Sequence, residues 1–255
     1  MKSILRIAGS IFVFFVAVLI DIQTVEARPQ PLHIQKIIGT NDLVAVAADA
    51  SNIPVQFRSL VDAFGVIGVG CTATHIGHGY VLTAGHCFAG AATPVTDQDC
   101  SAPTNDIKWG YRDGVQPYLT SKCVKVVIAQ TTAQMDYALL KVDPAPTAFV
   151  KPNLLTKGYI GESVTIFSHP DDLTLRWSQD CTIQQTPDAN FDPAMIDHQC
   201  DTDPGSSGAV LIDVNTLEIV GIHDGGYVDA AGAGWNYATY LFGIPLVQTL
   251  QQLGF

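Results

Sequence analysis

The sequence predicts an all-β protein built from antiparallel strands. Short runs rich in β-branched and aromatic residues recur along the chain, and turn residues separate them at short intervals. The chain does not alternate strands with long helical patterns, as an α/β protein would. With 255 residues, 47% of them hydrophobic, it can bury a sizeable core as one β-rich domain or two small ones. A sandwich and a barrel both fit this pattern.

The N-terminus has the pattern of a secretory signal peptide. A basic start, M-K-S-I-L-R, precedes an apolar run from Ile7 to Ile20, and a polar stretch ends in V-E-A at Ala27. The alternative is a membrane anchor, but a membrane span needs about 20 apolar residues and the run from Ile7 to Ile20 is shorter. We expect cleavage after Ala27, a Pro-rich propeptide at 28–36, and an exported mature protein that begins at Ile37 or Ile38.

The predicted strands and one helix follow in chain order. A weakly patterned, Pro-containing stretch at 144–158 suggests two β units, 37–150 and 151–255. The C-terminal run P-L-V-Q-T-L-Q-Q-L has an apolar face at helical spacing, formed by Leu246, Val247, Leu250 and Leu253. The strands are predicted at 64–74, 80–86, 123–129, 137–142, 163–167, 182–185, 209–214 and 218–222.

An even number of cysteines in an exported chain predicts disulfides. Pairing of the first cysteine with the second is favoured because the two flank His86. Pairing of the third with the fourth and of the fifth with the sixth then follows by proximity, although spacing does not fix the connectivity. Zinc is not expected, because no C-x-x-C or His/Cys knuckle spacing occurs, and no cofactor is expected. The six are Cys71, Cys87, Cys100, Cys123, Cys181 and Cys200.

The charge restricts the class of partner. The formal net charge is −11, and the acidic residues are scattered along the chain. Such a surface disfavours nucleic acid and anionic membranes as partners. We expect protein or peptide partners, no membrane contact after removal of the signal peptide, and a monomer.

A glycine-rich turn near the C-terminus can hold a nucleophile. In C-D-T-D-P-G-S-S-G-A-V-L, Ser207 lies between Ser206 and Gly208 and leads into an apolar strand. Small neighbours let a substrate carbonyl approach, and free backbone N–H groups can point at it. Taken singly, G-x-S-G is most often an ordinary turn.

Two further motifs supply the groups that activate a serine. T-A-G-H-C places His86 after a buried strand, and D-Y-A-L-L places Asp136 before another. An imidazole must accept the serine proton, and a buried carboxylate must orient that imidazole. Singly, such a histidine or aspartate is more often a structural or turn residue. The three motifs together, in the order His, Asp, Ser, indicate nucleophilic catalysis.

With these motifs the chain resembles the chymotrypsin-fold serine proteases from about Ile37 to its C-terminus. The resemblance implies a double antiparallel β-barrel in which Ser207 is the nucleophile, His86 the general base and then acid, and Asp136 the orienting carboxylate. It also implies an oxyanion hole formed by the backbone N–H groups of Gly205 and Ser207.

The residue before the nucleophile departs from part of this family. In the digestive branch it is an aspartate that pairs with the new N-terminal amine after activation, whereas this chain has Ser206. A serine cannot form that ion pair, so activation by that switch is not expected. The compact bacterial branch fits the sequence better.

Two stretches resemble the bacterial glutamyl endopeptidases: I-I-G-T-N-D at Ile37 and E-I-V-G-I-H-D-G-G around His223. The resemblance implies that His223 and Thr202 donate hydrogen bonds to an acidic side chain of the substrate. Asp201 opposes this, because it lies six residues before Ser207, where trypsin has a pocket aspartate that attracts Lys or Arg. Asp201 can also be a hydrogen-bonded loop residue. Preferences for acidic, basic and small or apolar residues all stay open, with the acidic one favoured.

Two other functional classes fit the sequence less well. A non-catalytic homologue that acts as a binding module usually lacks a triad residue, whereas all three motifs are intact here. An esterase of the α/β-hydrolase type needs the order Ser, Asp, His and a βαβ pattern, and this chain has neither. The remaining histidines of note are expected to be structural or exposed: His75, His78, His169 and His198.

Overall fold

The computed structural model describes residues 37–88, 91–184, 194–228, 234–242 and 244–255. The predicted signal peptide at 1–27 and propeptide at 28–36 lie outside these ranges. Within them, no helix has the length and apolar character needed to cross a membrane.

Strands are the main regular secondary structure of the described chain. They are β1 (Val44–Ala45), β2 (Phe64–Ile67), β3 (Cys71–Gly77), β4 (Tyr80–Thr83), β5 (Val95–Asp99), β6 (Ile107–Trp109), β7 (Leu119–Thr131), β8 (Asp136–Asp143), β9 (Lys151–Pro152), β10 (Ser163–Ser168), β11 (Arg176–Gln184), β12 (Met195–His198), β13 (Val210–Asp213), β14 (Glu218–Val228) and β15 (Gly234–Tyr240). One α-helix, α1 (Pro245–Gln252), follows them. Short 3-10 turns lie at Val55–Phe57, Val61–Ala63, Gly85–Cys87, Pro103–Asn105 and Pro170–Asp172.

The first sheet closes into a barrel. Its antiparallel strands run in the order β7-β6-β2-β3-β4-β8, and β8 pairs back onto β7, while β5 extends β7 at the edge. Val81, Trp109 and Leu140 are among the residues buried inside it. Trp109 satisfies its indole N–H by donating to the Ser121 hydroxyl at 2.7 Å, as a buried tryptophan must.

The second sheet closes in the same way. Its strands run in the order β11-β10-β13-β14-β15-β12, and β12 pairs back onto β11. Ile166, Ile196 and Leu211 belong to its core. The N-terminal strand β1 pairs with β11 in register Val44 to Trp177, so part of the N-terminal segment belongs to this sheet. The predicted all-β class and double antiparallel barrel are confirmed.

A third apolar cluster joins the two barrels. Phe64 of the first barrel stacks on Phe167 of the second, with ring centroids 4.9 Å apart. The helix α1 adds Leu246 and Leu250 to the same cluster, in agreement with its predicted apolar face. Apolar packing therefore holds the two barrels against each other.

Three disulfides join the described cysteines in the favoured pairing. Two of them bear on the candidate site. Cys71–Cys87 ties β3 to the turn that carries His86, and Cys181–Cys200 ties β11 to the segment that leads into Ser207. The third bond is Cys100–Cys123.

Candidate active site

His86 lies on the single turn Gly85–Cys87, directly after β4. Gly85 lets this turn pack against β7, because a methyl group on its Cα would overlap the backbone carbonyl oxygen of Gln130. The bond from Cys87 to Cys71 holds the other side of the turn. The position of His86 is therefore fixed by backbone packing and by a covalent link.

Asp136, the first residue of β8, contacts His86 twice. It is buried, and it accepts the His86 backbone N–H at 2.8 Å and the ring Nδ1 at 2.5 Å, each on a different carboxylate oxygen. The Thr131 hydroxyl is a third donor, at 3.2 Å. Because a carboxylate only accepts hydrogen bonds, Nδ1 carries the proton and Nε2 is the basic nitrogen of the neutral ring. This arrangement prepares His86 to act as a general base.

The Ser207 turn packs against the strand that leads into His86. Gly208 has a positive φ of 85°, and a methyl group on its Cα would overlap the Thr83 hydroxyl and lie 2.7 Å from the backbone nitrogen of Ala84. Only glycine fits so close an approach. Ser207 is therefore brought to the segment that precedes His86.

A threonine of the first barrel binds the Ser207 turn. Thr72, on β3, donates its backbone N–H to the Ser207 carbonyl oxygen at 2.8 Å and its hydroxyl to the Gly205 carbonyl oxygen at 2.9 Å. The Ser207 hydroxyl lies 3.5 Å from the Asp224 carbonyl oxygen. The two bonds from Thr72 cross from the first barrel to the second, so residues of both barrels position the Ser207 turn.

Gly205 adopts a conformation that other residues rarely adopt. Its φ is +96°, and a methyl group there would lie 2.8 Å from the His169 carbonyl oxygen. The next residue, Ser206, is buried and donates its hydroxyl to the Ser168 hydroxyl at 3.0 Å. The turn is thus supported at each residue before the nucleophile. That the N–H groups of Gly205 and Ser207 form an oxyanion hole stays a prediction.

His223, on β14, is fully buried beside a second histidine. Its Nδ1 lies 3.1 Å from Nε2 of His198 on β12. Burial lowers the pKa of His198 to about 3. Burial also lowers the pKa of His223 well below its usual value, and the neighbouring His198 and His86 add to this effect. Both rings are neutral near pH 7, and one donates its N–H to the other.

Neither His198 nor Asp224 has a functional role that its sequence motif predicts. His198 was expected to be structural or exposed, and the structure makes it the buried partner of His223. Asp224 directly follows His223 and is 2% exposed. The signal for Asp224 was present in G-I-H-D-G-G, where a carboxyl adjoins the candidate pocket histidine.

Thr202 and Asp201 lie directly after the Cys181–Cys200 bond. Thr202 is fully buried. Asp201 accepts the backbone N–H of Ile38 at 2.7 Å on one carboxylate oxygen and that of Asp42 at 2.6 Å on the other. Burial raises the pKa of Asp201, and these two bonds oppose the shift. Asp201 therefore fastens the N-terminal segment to the loop that precedes Ser207.

We expect Asp201→Ala to release the segment around Ile38 and to lower the free energy of unfolding by about 2 kcal/mol, because two backbone donors lose a charged acceptor. Urea denaturation and amide hydrogen exchange at Ile38 and Asp42 would measure this. Asp180→Ala is the control, since Asp180 is exposed on β11. Unchanged exchange at both amides would contradict the role of Asp201.

One group in the described part of the chain has the spacing of metal ligands. Cys71, His86 and Cys87 offer ligand atoms within 4.8 Å of one another. Both sulfurs are joined in a disulfide, and a disulfide sulfur is not the thiolate that a metal needs. The chemistry available at these residues is therefore proton transfer by His86.

Known proteins resemble this chain in sequence and in fold. A family model described as "Trypsin-like peptidase domain" matches residues 71–222, more than half of the 255-residue chain. A solved structure described as "Structure of Glu endopeptidase in complex with MPD" has a TM-score of 0.61 and 19% sequence identity over 85% of this chain and 98% of that chain. At that identity the likeness is one of fold. Among curated proteins, none matches significantly.

Proposed function

Because the chain belongs to the trypsin-like peptidase family, it is a serine peptidase of the double-barrel fold, and we propose that Ser207, His86 and Asp136 are its catalytic triad. The observation that carries this proposal is the double contact between Asp136 and His86 beside the glycine-lined turn of Ser207. All three residues lie within the span matched by the family model.

In the proposed first half-reaction, the Ser207 hydroxyl attacks the carbonyl carbon of the scissile bond. Nε2 of His86 takes the hydroxyl proton, and the Asp136 carboxylate stabilises the imidazolium that forms. The imidazolium then gives this proton to the leaving amine as the C–N bond breaks. The product is an acyl-enzyme on Ser207 and a free amine.

In the second half-reaction, water attacks the acyl carbon, and His86 takes a proton from that water. The same proton returns to the Ser207 oxygen as the ester bond breaks, which releases the acid. The backbone N–H groups of Gly205 and Ser207 are the proposed donors to the oxyanion in both steps. Donors prearranged where charge develops supply a large part of such catalysis.

For the residue before the cut, we propose a preference for Glu or Asp. The support is the buried pair His198–His223 and the buried Thr202, which follows His198 closely in the sequence. An imidazole N–H and a hydroxyl are suitable hydrogen-bond donors to a substrate carboxylate. The solved structure of similar fold is described as a Glu endopeptidase. Asp201 is the residue that a Lys or Arg preference would need, and both of its oxygens already accept backbone N–H groups.

The cleavage-site profile tests this function. The mature protein, starting at Ile37, is incubated with a mixed peptide library, and Ser207→Ala is the blank. We expect cuts after Glu and Asp. We also expect His223→Leu to lower the ratio of kcat/KM for matched Glu and Gln peptides by about 10- to 100-fold, because a charge-assisted hydrogen bond is lost. The ratio is an internal control, since partial misfolding lowers both rates equally.

The other outcomes separate the alternatives. Cuts after Lys or Arg would assign the pocket to Asp201, and cuts after small or apolar residues would exclude both polar assignments. If no peptide were cut and a fluorophosphonate probe did not label Ser207, the chain would instead be a non-catalytic binding module.

We also propose that the peptidase is exported and matured by proteolysis. Three disulfides are consistent with an oxidising compartment. The signal-like N-terminus and Lys36 before Ile37 supply the two expected processing points. N-terminal sequencing of protein recovered from the culture medium tests both.

A further inference from the structure

A chain of hydrogen bonds links Asp224 to the candidate triad. Asp136 donates its backbone N–H to the Thr239 hydroxyl oxygen at 2.8 Å, and Thr239 donates its hydroxyl proton to Asp224 at 2.7 Å. The Thr239 hydroxyl has one proton. Because its oxygen accepts the hydrogen bond from Asp136, this proton can be donated to Asp224. The chain runs from β8 of the first barrel through β15 to β14 of the second.

The two buried carboxyls have unequal support for a negative charge. Asp136 accepts three hydrogen bonds, two from His86 and one from Thr131. Asp224 accepts the Thr239 hydroxyl at Oδ2 and has further support only from the Thr239 backbone N–H, and its buried Oδ1 has no hydrogen-bond partner among the described residues. A buried ion needs several donors, and a nearby like charge opposes its formation. The charge therefore belongs to Asp136, and Asp224 is neutral.

The other groups around Asp224 fit this assignment. Burial raises the pKa of Asp224 well above its usual value, and the charge of Asp136 raises it further. On β15, burial raises the pKa of Tyr237, and the charge of Asp136, together with that of Asp224 once it has ionised, raises it further, so the phenol stays neutral. On β14 itself, His223 is neutral. Asp136 is the charged group that acts on Asp224.

We propose that Asp224 is a positioning residue of the peptidase reaction: as a neutral carboxyl it anchors Thr239, and through Thr239 it anchors the backbone of Asp136. The inference rests on the triad proposed above. When Asp224 ionises as pH rises through its raised pKa, a second negative charge forms beside Asp136. Repulsion then loosens the bond chain, and both activity and stability fall.

The sign of the stability effect follows from proton linkage. A carboxyl whose pKa is raised by folding contributes stability that is complete below its unfolded pKa of about 3.9 and is lost as pH rises through the folded value. Asp224→Asn removes this titration and keeps an oxygen acceptor for Thr239. The stability of the variant relative to the wild type should therefore increase as pH rises.

The test uses the mature protein as wild type, Asp224→Asn, Thr239→Val and the exposed control Asp180→Asn. Urea denaturation is measured across pH, together with the rate of fluorophosphonate labelling of Ser207 and kcat and KM on a cleaved peptide. We expect labelling in the wild type and in Asp180→Asn to fall as pH rises through the raised pKa of Asp224, and this fall to move up by at least one pH unit in Asp224→Asn. We expect Thr239→Val to lower kcat about tenfold at constant KM, and Asp224→Asn to lower it less.

If the wild type is active and the pH profiles of its labelling rate and stability run parallel to those of Asp224→Asn, this inference is overturned while the proposed function stands. Should Thr239→Val not fold, the pH profiles of Asp224→Asn still decide. A folded wild type that neither labels nor cleaves any peptide would instead refute the proposed function, and the positioning role would fail with it.

Discussion

Ser207→Ala is expected to lower kcat for peptide hydrolysis by about 10⁶-fold, because the attacking oxygen is removed and the remaining groups act only through binding and polarisation. The fold should be unchanged. The backbone bond from Thr72 to the Ser207 carbonyl oxygen remains in the variant and continues to hold the turn. Steady-state hydrolysis, circular dichroism and the urea midpoint would measure both parts.

Ser206→Ala is the neighbouring control for this experiment. The Ser206 hydroxyl bonds to Ser168 and to the backbone N–H of Asp203, so its loss should lower stability and leave the nucleophile in place. We expect its kcat to stay within about tenfold of the wild type, since an interior neutral hydrogen bond is worth about 1 kcal/mol. Hydrolysis by Ser207→Ala at the wild-type rate would refute the mechanism.

Asp136→Asn is expected to lower kcat about 10⁴-fold at neutral pH. Asp136 accepts two bonds from His86, one on each carboxylate oxygen. An amide has one oxygen, and its NH₂ would face either the His86 backbone N–H or the ring. To accept from that NH₂, the ring must move its proton from Nδ1 to Nε2, and it can then no longer take the Ser207 proton.

The pH dependence of kcat and ring nitrogen chemical shifts in the free enzyme would measure this change. Asp97→Asn is the matched control. Asp97 is exposed and pairs with Lys125 at 2.6 Å, and such surface pairs contribute about 0–1 kcal/mol. Its φ of +55° is tolerated by asparagine. A kcat for Asp136→Asn equal to that of Asp97→Asn would show that Asp136 does not orient His86.

Two of the predicted strands show which signals the sequence carries. Tyr137 to Val142 is mostly apolar, and Ser163 to Phe167 is rich in β-branched and aromatic residues. The strand β12 was not predicted, because Met195–His198 ends in two polar residues. In the structure Asp197 accepts the Tyr227 hydroxyl and His198 contacts His223, so these polar side chains are buried in pairs. Such pairs cannot be identified before the strands are aligned.

The sequence by itself determined the local features: the all-β class, the apolar face of α1, and the motifs that carry His86, Asp136 and Ser207. These depend on residue order and on neighbours a few positions apart, as strand patterns and glycine turns do. The first disulfide, Cys71–Cys87, could be predicted because its two cysteines flank the His86 motif.

Only the tertiary structure decided which polar groups share a buried site. Asp201 and Ile38 are 163 residues apart in the chain, and Asp136 and Thr239 are 103 apart, yet both pairs are joined by hydrogen bonds. A carboxyl has the same letter in the sequence whether it faces water, a backbone N–H or another carboxyl. Its charge and role depend on burial and on the donors around it, and the packing of the two barrels sets both.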